Sequence, residues 1–82
     1  MENNNINNNE EITPILISEN LDMKISDYAL IVGLEGVTNE QTWREFIRES
    51  EEEFELKSEM IDIMTESDLV LYIDFLDELW MK

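Results

Sequence analysis

Apolar residues recur at the spacing of an α-helix in the second half of this 82-residue chain, and this pattern limits its fold more than any other feature. Trp43, Phe46, Ile47 and Phe54 stand at positions i, i+3, i+4 and i+11, and Ser50 fills the intervening i+7 place. Residues at these positions share one side of a helix. The spacing therefore predicts a helix with one apolar side that a polar residue interrupts.

Start signals place two helices along the chain. Thr38 and Gln41 have the spacing of a capping box and predict a helix over residues 39–54. Thr65 and Asp68 have a similar N-cap spacing. They predict a last helix whose core side carries four apolar residues, Leu69, Ile73, Leu76 and Trp80.

Residues 28–34 favour a further short helix, because Ser26 or Asp27 can cap its start and Gly36 can follow its end. A strand is the alternative, since the apolar run is β-prone and Gly33 weakens a helix interior. The helix is the preferred interpretation.

Two shorter elements complete the predicted fold. Ser58 can begin a short helix over residues 59–64. The β-branched residues at 12–17 favour a short strand near Pro14, which restricts it to an edge.

These elements predict a mainly α fold, a small single acidic domain of three to four helices over residues 11–82, with α+β as the alternative. The asparagine-rich residues 1–10 cannot bury apolar surface and predict a disordered tail. Residues 1–3 lack the basic and apolar parts of a secretory leader, so we expect the cytoplasm, either of the chain's own cell or of a host.

Carboxylates dominate the charge of the chain. It has 21 Asp and Glu against 5 Lys and Arg, a formal net charge of −16. This magnitude exceeds the range of about 2–8 that keeps a small domain soluble. Such a charge repels nucleic acid and anionic membranes and attracts basic surfaces. We therefore expect a basic protein as the partner, without direct binding to nucleic acid or to a membrane.

The sequence lacks the residues of ordinary catalytic and metal sites. It contains no histidine and no cysteine, which removes the commonest general base and the usual zinc ligands. Gly33 and Gly36 do not make a phosphate-binding loop. Residues 62–68 lack the spacing and the glycine of a calcium loop. We expect no enzymatic activity, no metal and no cofactor.

The acidic residues concentrate between residues 45 and 66. We predict eight of them as the partner-binding site: Glu45, Glu49, Glu52, Glu53, Glu55, Glu59, Asp62 and Glu66. A step of four residues along a helix advances about 6 Å, similar in scale to the phosphate spacing of one nucleic-acid strand. The ordinary explanation of a charge run is a solvated helix face. However, like charges four residues apart destabilise a helix, and carboxylates near its C-terminal end oppose its macrodipole.

The chain resembles the small phage-encoded inhibitors that mimic DNA, including anti-CRISPR and anti-restriction proteins. It does so in lacking cysteine and histidine and in its acidic cluster, Glu49, Glu51, Glu52, Glu53, Glu55 and Glu59. These inhibitors share no common fold, so the resemblance concerns composition. It implies a host-cell nucleic-acid-binding partner, typically a nuclease such as a CRISPR effector, whose DNA or RNA site the acids block.

Two other functions stay open. A helical adaptor or assembly protein would bind its partner through an apolar groove, with Phe75, Leu79 and Trp80 as anchors. A structural subunit would form a homodimer through the apolar turn at residues 69–73.

Overall fold

The structure, a computed structural model, describes residues 15–82. These residues form three α-helices joined by short loops and two single 3-10 turns, and they contain no strand. The predicted mainly α fold is therefore confirmed. In chain order the elements are the 3-10 turn Ile17–Glu19, α1 Ile25–Val32, α2 Trp43–Glu53, the 3-10 turn Ile61–Ile63 and α3 Glu66–Trp80.

The strand predicted near residues 12–17 is wrong where the structure describes it. Ile17 begins a 3-10 turn instead. The backbone N–H groups of Ile17 and Ser18 donate to the Glu66 carboxylate at 2.9 and 2.8 Å, so a side chain of α3 binds them rather than a neighbouring strand. Residues 12–14 of that strand and the predicted tail at residues 1–10 lie outside the described residues.

The preferred helix at residues 28–34 is present as α1, but it begins earlier than its predicted caps. Its first residue is Ile25, and no side chain caps its start. The N–H groups of Ile25 and Ser26 instead donate to the carbonyls of Gln41 and Asn39, at 2.8 and 2.9 Å. A distant backbone segment thus satisfies donors that a side-chain cap would ordinarily bind.

The helix α1 ends at Val32, with Gly33 as its C-cap, rather than shortly before Gly36. Gly33 has a φ of 87°, and its N–H donates to the carbonyl of Ala29. A left-handed residue is the usual end of a helix, and glycine adopts that conformation without steric penalty. The glycine that argued against a helix interior therefore terminates the helix.

The helix α2 begins four residues later than predicted. Thr42 forms the capping box: its hydroxyl accepts the N–H of Glu45 at 3.0 Å, and the Glu45 carboxylate accepts the N–H of Thr42 at 2.9 Å. The predicted cap at Thr38 is wrong, because contacts with α1 determine the conformation of the segment that follows Thr38. The carbonyls of Asn39 and Gln41 already accept N–H groups of α1, which holds this segment out of a helical conformation.

Two threonine substitutions distinguish these caps. We expect Thr42→Ala to lower the free energy of unfolding by about 1 kcal/mol, because the first turn of α2 loses its cap. We expect Thr38→Ala, at an exposed position, to change it by less than about 0.5 kcal/mol. Urea unfolding followed by circular dichroism measures both. Equal effects would contradict the observed start of α2.

The predictions for the last third are confirmed in part. The Thr65 hydroxyl accepts the N–H of Asp68 at 3.1 Å and caps α3, as expected. The short helix predicted at residues 59–64 is reduced to the 3-10 turn Ile61–Ile63, and Ser58 does not cap it.

The core lies between α2, α3 and the two 3-10 turns. Ser50, which interrupts the apolar side of α2, is fully buried there. Its hydroxyl donates to the Phe46 carbonyl at 2.7 Å and accepts the indole N–H of Trp80 at 2.8 Å. Trp80 therefore links α3 to α2, although its side chain stays 43% exposed. The buried apolar cluster consists of Ile17, Leu21, Ile47, Ile61, Leu69, Ile73 and Leu76.

Candidate functional site

The exposed side of α2 is acidic along its whole length. Four exposed glutamates lie at i, i+4, i+7 and i+8, which places them on one side of the helix. The buried residues Ile47 and Ser50 lie on the opposite side. We call these four residues the acidic face: Glu45, Glu49, Glu52 and Glu53.

The acidic face divides into two halves. Glu45, in the first turn, belongs to the capping box, and Glu49, in the second turn, accepts a hydrogen bond from the side chain of Gln41. In the last turn, the carboxylates of Glu52 and Glu53 have no hydrogen bond or ion pair with any residue from 15 to 82. A partner can therefore bind this second half without breaking an internal contact of the described residues.

Glu55 extends the acidic end of α2 in an unfavourable backbone conformation. It follows the C-cap residue Phe54 and has a φ of 55°, in the left-handed region. The N–H of Leu56 donates to the carbonyl of Glu51 at 2.8 Å across this position. Glycine or asparagine is the usual residue in such a helix end. A glutamate here adds backbone strain and a negative charge beside the negative end of the helix dipole.

The two arginines of the chain are engaged internally. Arg44 contacts Asp22 at 2.8 Å through Nε and Asp62 at 2.9 Å through Nη2. The carboxylates of Asp62 and Asp22 raise the pKa of Arg44, and the guanidinium lowers the pKa of Asp62. Asp62, a predicted site residue, thus serves a surface ion-pair cluster rather than the acidic face.

The second arginine belongs to a network around the buried carboxylate of Glu51, which is 2% exposed. Arg48 Nη1 donates to it at 2.8 Å, the hydroxyl of Tyr72 at 2.6 Å and the N–H of Glu59 at 2.9 Å. This network joins α2, α3 and the loop between them. It leaves no arginine to neutralise the acidic face.

The protonation of Glu51 depends on this network. Burial alone would raise its pKa, but the hydrogen bonds from Glu59, Tyr72 and Arg48 outweigh burial and hold the pKa of Glu51 below its usual range. Burial and the neighbouring carboxylate also raise the pKa of Tyr72. Because the folded protein favours ionised Glu51, its stabilising contribution is present above the ordinary carboxyl range and is lost as the pH falls through the lowered pKa.

The structure separates the eight predicted site residues. Four form the acidic face, and Glu55 follows it at the end of α2. Glu59 is half-buried beside the Glu51 network, and Asp62 pairs with Arg44. Glu66 accepts two N–H groups of the first 3-10 turn; burial alone would raise its pKa, but the bonds from Ser18 and Ile17 together outweigh burial and lower it. The carboxylates of Asp62 and Glu66 therefore have structural contacts of their own, whereas Glu59 joins the Glu51 network through its backbone.

The sequence interpretation missed the structural role of Glu51 and the exposure of apolar residues at the end of α1, whereas the apolar turn at residues 69–73 was named as a possible dimer surface. Helical spacing could have indicated the first, because Glu51 stands four residues after the core residue Ile47. The apolar surface is at the end of α1, where Leu30 is 80% exposed, and on α3, where Leu71 is 67% exposed. Of the predicted anchors, Phe75 is exposed and Leu79 half-buried, while Trp80 contacts α2.

Within residues 15–82, no helix has the length and apolar character needed to cross a membrane. The same residues contain no group of three or more acidic side chains arranged to hold a metal ion. In comparisons with known proteins, no family model, no curated protein and no solved structure matches the chain.

Proposed function

We propose that the protein is a stoichiometric inhibitor that occupies the basic nucleic-acid-binding site of a larger protein, with carboxylates in place of phosphates. The partner is a nuclease or its complex, such as a CRISPR effector, in the cytoplasm of a host cell. The observation that carries the proposal is the acidic face of α2, whose last two carboxylates, Glu52 and Glu53, lack any internal partner within the described residues.

The geometry of α2 supports this role. From Glu45 to Glu53 the helix advances about 12 Å, so the acidic face presents a row of negative charges on a rigid support. Each step of four residues covers about 6 Å, a scale that suits a groove built for phosphates. Side chains on a helix are held more precisely than side chains on a loop.

The residue types at the end of α2 also support the proposed role as an inhibitor. Glu52 and Glu53 stand in the last turn, where no basic residue balances the helix dipole, and Glu55 occupies a left-handed position. Each choice opposes folding stability. Local conflicts of this kind concentrate at functional sites. Folding does not account for the carboxylates of Glu52, Glu53 and Glu55, whereas a requirement for binding a partner does.

A second candidate is a helical adaptor that binds through apolar surface. It is favoured by the exposed apolar residues at the end of α1, Leu30, Ile31 and Leu34, and by Leu71 and Phe75 on α3. Large apolar residues exposed together often mark a protein interface. On this reading the carboxylates only keep the protein soluble.

Capture at two salt concentrations separates the two candidates. We expect the immobilised chain to capture a nucleic-acid-binding protein at low salt and to release it at about 0.5 M salt, where exposed charges are strongly screened. The captured protein should lose binding to its DNA or RNA at one equivalent of the chain.

The control is a competition with the nucleic acid itself, which should displace the captured protein. A partner that resists salt, and that still binds nucleic acid while captured, would contradict inhibition by mimicry. That result would favour the apolar adaptor.

A further inference from the structure

A groove of about 390 Å³ lies between α2, α3 and the segment that joins α1 to α2. Trp43 and Phe46 of α2 and Ile73 of α3 give it apolar walls. Asp74 and Asp77 of α3 line its edge, and both are exposed. Their carboxylates form no hydrogen bond or ion pair with the described part of the chain. The groove thus combines aromatic walls with two negative charges.

The groove continues into the acidic face. Glu49 and Glu53 follow Phe46 at i+3 and i+7, so the side of α2 that lines the groove passes directly into the acidic side. A partner that covers the acidic face would therefore also cover the groove.

The wall of the groove contains a donor that the described residues leave unsatisfied. The indole N–H of Trp43 is buried and has no hydrogen-bond partner within residues 15–82. Its ring stands nearly perpendicular to that of Tyr28, with an interplanar angle of 85° and the centroids 5.5 Å apart. A guanidinium has no acceptor atom, so this N–H does not bind an arginine directly. It serves instead as a spectroscopic reporter in the wall of the groove.

We infer that the groove binds an arginine side chain on the basic surface of the partner. The apolar walls suit the methylene stem of a long basic side chain. The aromatic rings of Trp43 and Phe46 suit a flat guanidinium, which stacks on aromatic faces more readily than an ammonium does. Asp74 and Asp77, spaced i and i+3 on α3, can accept the hydrogen bonds of the guanidinium.

The charge of the groove disfavours two other occupants, a purely apolar side chain and a second copy of this chain. A purely apolar side chain would place two carboxylates at the edge of a dry contact without a partner, which is unfavourable. A second copy of this chain, with a net charge of −16, would bring further negative charge to the groove. The inference rests on the proposed function only in requiring a basic partner.

Nuclear magnetic resonance with a defined probe tests the inference. The probe is the capped tripeptide acetyl-Gly-Arg-Gly-amide, titrated into the labelled full chain. The matched probes replace arginine with lysine or with citrulline, which keeps the shape of arginine without its charge. We expect the arginine probe to shift the indole N–H signal of Trp43 and the amides around Asp74 and Asp77. Lysine should bind more weakly, and citrulline should cause no comparable change.

Paired variants locate the contact. We expect Asp74→Asn with Asp77→Asn to weaken binding of the arginine probe by about tenfold or more, because charge-assisted hydrogen bonds are lost. The control, Glu19→Gln with Asp68→Asn, removes the same charge from exposed positions outside the groove. We expect this control to weaken binding of the arginine probe by about threefold at most. Circular dichroism confirms that both variants fold.

Three results would overturn the inference. They are equal shifts from the arginine and citrulline probes, shifts centred on the acidic face, and equal weakening by the two double variants. This test is independent of the test of the proposed function, because it uses a peptide probe and not a nucleic-acid-binding protein. If arginine enters the groove while no nucleic-acid-binding protein is inhibited, only the proposed function fails. If inhibition holds while arginine avoids the groove, only this inference fails.

Discussion

Replacing Glu51 with alanine is expected to lower the free energy of unfolding by about 3 kcal/mol or more. The carboxylate is buried and binds Arg48, Tyr72 and the N–H of Glu59. Its removal leaves the part-buried hydroxyl of Tyr72 and a backbone donor without their acceptor, and it leaves Arg48 without its counter-charge. A domain of this size has a total stability near the lower end of about 5–15 kcal/mol. The variant should therefore be largely unfolded at moderate urea concentrations.

The neighbouring glutamate provides the control. Glu52→Ala removes the same side chain one residue later, at an exposed position without internal contacts in the described residues. We expect it to change stability by less than about 0.5 kcal/mol. Urea unfolding followed by circular dichroism compares the two variants. A Glu51→Ala protein within about 1 kcal/mol of the wild type would show that the network contributes little in solution.

The contrast between these glutamates shows what the sequence could predict. The apolar periodicity was sufficient to predict α2 and α3, because Ile47, Leu69, Ile73 and Leu76 fall at helical spacing and are buried. Composition alone could not separate Glu51 from its neighbours, since all belong to one acidic run. Their different roles follow from the rotation of the helix, which turns Glu51 toward Tyr72 and its neighbours toward solvent.

The start of α2 could not be predicted from local signals. Thr38 with Gln41 and Thr42 with Glu45 both have the spacing of a capping box. The choice is made by α1, whose first N–H groups bind the carbonyls of the intervening segment, with Asn39 as one acceptor. Such a contact joins residues far apart in the chain and leaves no trace in local propensity. The groove beside Asp74 depends on the same long-range packing.

Reversing the charges at the end of the acidic face is expected to weaken inhibition strongly without lowering folding stability. We expect Glu52→Lys with Glu53→Lys to weaken inhibition by about 100-fold or more. Each reversal turns a close attractive pair with the partner into a repulsive one, and such pairs contribute about 1.5 kcal/mol or more each. Titration of the partner's nucleic-acid binding with each variant measures the loss.

Folding stability should not decrease in the same variant. The lysine that replaces Glu53 would pair with Glu49 four residues earlier, in the favourable order, and both new lysines would complement the negative end of the helix dipole. The lysine that replaces Glu52 would also stand four residues after Arg48, and this repulsion offsets part of the gain. We therefore expect a stability equal to that of the wild type or higher by about 0.5 kcal/mol, measured by urea unfolding.

A second double reversal separates a specific contact from a general effect of charge. Glu19→Lys with Glu78→Lys changes the net charge equally, and Glu78 also stands in the last turn of its helix, α3. Because both sites are exposed and outside the acidic face, this control should lose inhibition by only about tenfold or less. Equal losses would mean that net charge alone drives binding. Full inhibition by the Glu52 and Glu53 variant would exclude the end of α2 from the interface. If inhibition disappears while stability is kept or rises, the carboxylates at the end of α2 serve the partner rather than the fold.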